Sequence, residues 1–207
     1  MNDLTQKTGF LISGVEADDL PEQIVNAFNQ VYCDDFADAF MGVNHALNTE
    51  IRGWQTQQNW AKGGLLTPWM LAIVYFPLNY AALKGMVLPD DWKTNVCAER
   101  AYHVIGPLMP LMIEEKAYAT HLNFHPKLGH YWLQPLVQNM ARYSDNQAAF
   151  AAWNDVVEFR KIVRAQKQAE EAANAEQAEN PQTAEQKEQQ EAISRRAVLS
   201  KWFKQEH

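Results

Sequence analysis

Ile24, Phe28, Val31, Tyr32 and Phe36 stand at i, i+4, i+7, i+8 and i+12, the spacing of one face of an α-helix. Pro21 at a first-turn position, and Glu22 three residues after Asp19, predict that this helix opens near Asp19. A single apolar stripe of that length implies a flat apolar partner, which a sheet supplies. A second helix is predicted from Ser144, where Gln147 completes a capping-box spacing and Ala149, Ala152, Val156, Phe159 and Val163 repeat at helical period. Between the two, Pro and Gly punctuate short β-compatible runs near residues 49–54, 69–76, 118–125 and 131–138. The pattern predicts an α+β fold: a two-layer sandwich in which helices flank a short, mostly antiparallel sheet, followed by an extended charged C-terminal tail.

The most apolar stretch, residues 62–77, reads KGGLLTPWMLAIVYFP. As a strand after Pro68 it turns Trp69, Leu71, Ile73 and Tyr75 one way and Met70, Ala72, Val74 and Phe76 the other, so both faces are apolar. Helices of a two-layer domain cover one face only. The second is then exposed, occluded by an insertion, or used against a partner. An ordinary buried central strand gives the same pattern, and periodicity alone leaves both readings open.

Charge divides the chain into three. Residues 1–164 hold the folded domain. Residues 165–191 are almost entirely Ala, Glu, Gln, Lys and Asn, with a net charge of −5 from seven Glu against Lys167 and Lys187. With no Val, Ile, Leu or aromatic side chain to bury, this stretch reads as a solvated linker or a frayed helix, broken at Asn180 and Pro181. Residues 192–207 regain Ile193, Val198, Leu199, Trp202 and Phe203 among Arg195, Arg196, Lys201 and Lys204, a basic amphipathic peptide of net charge +3.

Composition narrows the functional classes. A chain of 207 residues, 47% hydrophobic and 21% charged, suits one core. The longest uncharged run, residues 65–83, is interrupted by Thr67, Pro68, Pro77 and Asn79, which argues against membrane insertion, and no secretory h-region follows the N-terminus. A cytoplasmic protein is expected, with Cys33 and Cys97 reduced. No phosphate loop, nucleophile elbow or paired-carboxylate motif appears, so no enzyme and no cofactor are expected. The only basic cluster is the short C-terminal peptide beside an acidic stretch, which disfavours nucleic acid as a partner. His121 and His125 in THLNFH are the best candidates for a nickel- or zinc-handling site, but no third ligand accompanies them in the sequence.

Three segments together resemble the HybE/HupJ family of NiFe-hydrogenase assembly chaperones: GGLLTPWMLAIVYFP; LGHYWLQPLVQNMARYSDNQAAFAAW at residues 128–153; and SRRAVL at residues 194–199. The family usually carries Cys-Ser-Leu and then Ser-Pro-Met after its Leu-Gly-x-Tyr. Here Leu133, Gln134, Pro135 and Leu136, then Gln138, Asn139 and Met140, occupy that stretch, so no role of that cysteine transfers. Residues 78–117 also depart from the family pattern. The resemblance implies a cytoplasmic protein that binds a hydrogenase small or large subunit precursor, through a twin-arginine signal or the immature large subunit, with other maturation proteins as further partners, and delays export. A scaffold that stays in a larger maturation complex is the neighbouring reading. Expected partner-binding residues are Thr67, Pro68, Trp69, Met70 and Leu71, with Arg195 and Arg196 as secondary contacts. Ser194 to Leu199 also resembles the Ser-Arg-Arg-x-Phe-Leu core of an export signal, with charged residues where an apolar stretch would follow. It either imitates a client signal on a tether or docks as a helix through Val198, Leu199, Trp202 and Phe203.

Overall fold

The computed structural model describes residues 8–179, apart from some side chains of the last helix, Val156 and Phe159 among them. Arg195, Arg196 and the whole basic C-terminal peptide lie outside the described residues. Two compact units follow one another along the chain, Met1–Trp153 and Asn154–His207. The first holds the sheet.

Helix α1 spans Leu20–Val31 and continues into a π-helical turn, Tyr32–Phe36. Ile24, Phe28 and Val31 of the expected stripe are buried, joined by Leu20 and Ala27, while Tyr32 and Phe36 pack at the margin. The capping box at Asp19 does not form. That residue is already in helical conformation (φ −87°, ψ −14°), whereas a capping side chain reaches back from an extended residue. The Glu16 carbonyl accepts the Asp19 and Leu20 N–H groups instead.

The strands are β1 Glu50–Gln57, β2 Trp60–Thr67, β3 Met70–Pro77, β4 Leu111–Ile113, β5 Lys116–Tyr118, β6 His121–His125 and β7 Gly129–Val137. Five form one antiparallel sheet in the order β1-β2-β3-β7-β6, and β4 and β5 form a separate hairpin. Helix α2 is the single turn Thr94–Cys97. Strand β2 was not expected, because Gly63 and Gly64 look like punctuation. Both are seats for indole rings. A Cβ on Gly63 would lie 2.7 Å from the Trp54 ring, and one on Gly64 would lie 2.0 Å from Trp153.

Strand β3 has the two apolar faces that its sequence implies, and both are covered. Met70, Ala72, Val74 and Phe76 pack under α1 with Ile24 and Phe28. On the other face Ile73 and Tyr75 meet Trp60, Trp132, Leu111 and Ile113, while Leu71 meets Leu47, Tyr143 and Phe150. No second face of this strand is left open for a partner. The segment between β3 and β6 and the start of the last helix occlude it, so this is a buried central strand.

Helix α3 spans Asn146–Glu179. It is capped one residue later than Ser144: Asp145 accepts the Ala148 N–H at 2.8 Å, and the Ser144 hydroxyl donates to the same carboxylate. These bonds hold the Asp145 carboxyl below the ordinary carboxylate range. Ala149 and Phe150 are buried, whereas Val163 is exposed, so the expected stripe is not buried along its full length. Residues 165–171 are helical with exposed side chains. Among the described residues no helix is long and apolar enough to cross a membrane.

The N-terminal segment forms an additional rung. Leu11 N–H donates to His130 Nδ1 at 2.9 Å, His130 N–H donates to the Leu11 carbonyl, and Ile12 bridges to Gly129. Phe10 is fully buried against His130 and Trp132. Gly129 is obligatory here: its φ is +74°, and a Cβ would sit 2.3 Å from the Leu11 carbonyl oxygen.

Candidate functional site

The β2–β3 hairpin turns on two residues, Pro68 and Trp69, with Thr67 and Met70 paired across it. The Thr67 hydroxyl closes the turn, accepting the Met70 N–H at 3.0 Å and donating to the Met70 carbonyl at 3.2 Å. Asn44 N–H donates to the Pro68 carbonyl at 2.8 Å. Thr67, Pro68, Trp69, Met70 and Leu71 are all buried, so in this fold none presents its side chain to a partner. Trp69 is the centre of an aromatic cluster. Phe36 stacks on it at 4.5 Å, and Phe28 and Tyr102 approach at 6.3 and 6.4 Å.

The ring of Phe36 ends the π-helical turn, so the hairpin sets where that turn sits. π-Turns are local departures that often mark functional positions. Beside it lies a cleft of about 190 Å³. It is lined by Gln30, Val31, Asp34 and Asp35 from α1 and its π-turn, and by Trp92, Cys97, Arg100 and Tyr102 from the segment between β3 and β4. Phe124 and His125, at the end of β6, line it as well. Gln30 Nε2 donates to Asp34 at 2.8 Å, and among the described residues neither Asp34 nor Asp35 has an ion-pair partner. Arg100 lies over the Trp92 ring at 5.9 Å and is 3.9 Å from Asp91.

Behind the Tyr102 wall, the Tyr102 and Tyr131 hydroxyls and the Trp69 indole N–H are buried without a well-formed hydrogen bond. Burial pushes the Tyr102 phenol well above its ordinary range, and the Tyr131 hydroxyl and the Asp35 carboxylate add to the shift. Burial likewise holds the Cys97 thiol above its usual value, so it packs as an inert thiol.

His121 and His125 stand on one side of β6, as their spacing requires, yet each is already engaged. His121 Nδ1 bonds the Gly106 carbonyl at 2.8 Å, and His125 Nδ1 accepts the Lys127 N–H at 3.1 Å. Burial, assisted by the Lys127 charge, lowers His125 to about 4, and burial lowers His130 to about 4 against two opposing backbone bonds. Among the described residues no group of three metal-ligating side chains forms around the pair.

Sequence reasoning missed the acidic wall. Asp34 and Asp35 belong to no motif, and the visible signal was only that polar residues interrupt the apolar stripe between Tyr32 and Phe36. It also missed Phe40 and Met41, which follow on the same segment and are 102% and 89% exposed.

A family model described as a NiFe-hydrogenase assembly chaperone, HybE, matches residues 19–201. The chain belongs to that family. No curated protein and no solved structure matches it. The HybE match takes in both the Thr67–Trp69 turn and the Leu128–Tyr131 segment, and these two are neighbours in space through Phe28, which contacts Trp69 and Tyr131. As a HybE protein the chain serves hydrogenase maturation as an assembly chaperone.

Proposed function

We propose that this chain binds a NiFe-hydrogenase subunit precursor in the cytoplasm, through its twin-arginine signal or the immature large subunit, and holds it back from export until maturation is complete. The observation that carries this reading is the family match over residues 19–201, which includes the two folded motifs and reaches into the basic peptide. The buried hairpin gives the motif a physical meaning. Thr67, Pro68, Trp69, Met70 and Leu71 act as supports that hold the π-turn and its acidic cleft, and Arg195 and Arg196 remain secondary contacts. The role is one of binding, with no catalysis, cofactor or nucleic acid.

Affinity capture of the tagged full chain from its native cytoplasm tests the reading. Recovery of unprocessed hydrogenase precursor is expected. Recovery of finished hydrogenase alone would make the chain a resident scaffold, and recovery of no hydrogenase subunit would refute precursor binding. Removing residues 192–207 should weaken capture if Arg195 and Arg196 are contacts and tighten it if they imitate the client.

A further inference from the structure

The cleft beside the π-turn has a composition that selects a particular guest. At about 190 Å³ it is smaller than the roughly 300–1,000 Å³ of small-molecule pockets, and suits one long side chain. Its walls are aromatic at Trp92, Tyr102 and Phe124 and carboxylate at Asp34 and Asp35. The two acids are unpaired among the described residues, and the arginine that also lines the cleft, Arg100, is engaged by Asp91 and the Trp92 ring. A planar guanidinium on an apolar stem matches such walls: it stacks on rings, donates in a fork to carboxylates, and lays its methylenes on apolar surface. An ammonium matches them less well, being compact and strongly hydrated.

We propose that this cleft receives one arginine side chain of the client's signal segment, with the guanidinium held by Asp34 and Asp35 and the stem lying on Tyr102 and Phe124. The assignment rests on the reading that the client is recognised through an arginine-bearing signal. Gln30, bonded to Asp34, fixes one carboxylate in advance, which reduces the ordering cost of binding. Phe40 and Met41 lie five and six residues beyond Asp35, within about 20 Å even on a fully extended chain. Being exposed, they offer apolar surface to the hydrophobic residues that follow an arginine pair in a signal core.

The test is titration of the full chain with a synthetic peptide carrying a Ser-Arg-Arg-x-Phe-Leu core, followed by fluorescence anisotropy. Wild type should bind it roughly tenfold more tightly than the same peptide with Lys-Lys, and Asp35→Asn and Asp34→Asn should each lose roughly tenfold. Both carboxylates are exposed, so the variants should keep the wild-type thermal melt. Equal affinity for both peptides, or unchanged affinity in both variants, would overturn the cleft assignment, while continued precursor capture would leave the chaperone reading standing. A wild-type chain that ignores the peptide, joined by an Arg195→Gln, Arg196→Gln chain that binds it, would make the protein's own peptide the occupant and overturn the client assignment. Loss of precursor capture in wild type would instead sink the broader reading.

Discussion

The Pro68–Trp69 hairpin and the segment 34–41 are neighbours with opposite characters. The turn Thr67–Leu71 carries the most distinctive motif of the chain and is entirely buried. The segment beside it carries Asp34, Asp35 and Asp38, then Phe40 and Met41, and stands in solvent. The stacked pair Phe36 and Trp69 joins them. On the proposed reading, the motif marks a functional region by supporting it from beneath, while the residues that meet the client belong to no motif.

The largest effect expected from breaking this pairing is on stability. Trp69→Ala removes the aromatic on which Phe36 rests and should cost about 3–5 kcal/mol in chemical denaturation, with client capture lost alongside. Phe40→Ala should stay within about 0.5 kcal/mol of wild type and reduce capture alone. Equal stability losses in the two variants would erase the distinction between support and contact.

Acid provides the next test, because His130 is another buried support. Its Nδ1 accepts the Leu11 N–H, and its Nε2–H donates to the Trp92 carbonyl at 2.8 Å. Burial holds it neutral down to about pH 4, whereas the unfolded imidazole takes up its proton near 6.5. Stability should fall as pH drops below 6.5, with the contribution of this group exhausted near pH 4, a loss on the order of 3 kcal/mol. His125 acts with the same sign. His130→Gln should be less stable at pH 7 and lose less between pH 6.5 and 4.5 in urea titrations; an unchanged acid slope would remove His130 from that role.

Gly64→Ala places a methyl 2.0 Å from Trp153 and should cost about 1–3 kcal/mol, with partial recovery in a Trp153→Leu background. A smaller effect, and a stabilising one, is expected at the β4–β5 turn, where Glu114 and Glu115 adopt φ of 48° and 64°. Asn-Gly suits such a turn far better; although it removes the exposed bond that Gln57 Nε2 donates to Glu114, the double substitution should still raise stability by about 0.5 kcal/mol without touching the Pro68–Trp69 turn or the acidic segment.

Much of the architecture is legible in the amino-acid sequence. The stripe from Ile24 to Phe36 gave α1 and its sheet partner, and the unbroken apolar run of residues 69–76 after Pro68 gave β3. Gly63 and Gly64 concealed β2, because a glycine that seats an indole reads locally like a turn. The hairpin β4–β5 was hidden by length, three residues a strand being too short for periodicity to register. The cap falls at Asp145 instead of Ser144: the Asp145 carboxylate takes the Ala148 N–H, and the Ser144 hydroxyl donates to that carboxylate. Burial of Leu71 and Trp69, which no local pattern encodes, depends on Phe150 and Phe36, partners 79 and 33 positions away.

The bond from Leu11 to His130 joins residues 119 positions apart. At ribosomal speeds of about 5–20 residues per second, roughly 6–24 s separate the synthesis of the two partners. Phe10, Leu11 and Ile12 must wait through that interval with no rung to join. The segment made early is thus latched late, and a growing chain stalled before His130 would leave Phe10 available to the cell's general folding helpers. A hydrogenase assembly chaperone thus passes through its own unfinished stage, and its length is set by the distance along the messenger between these two codons.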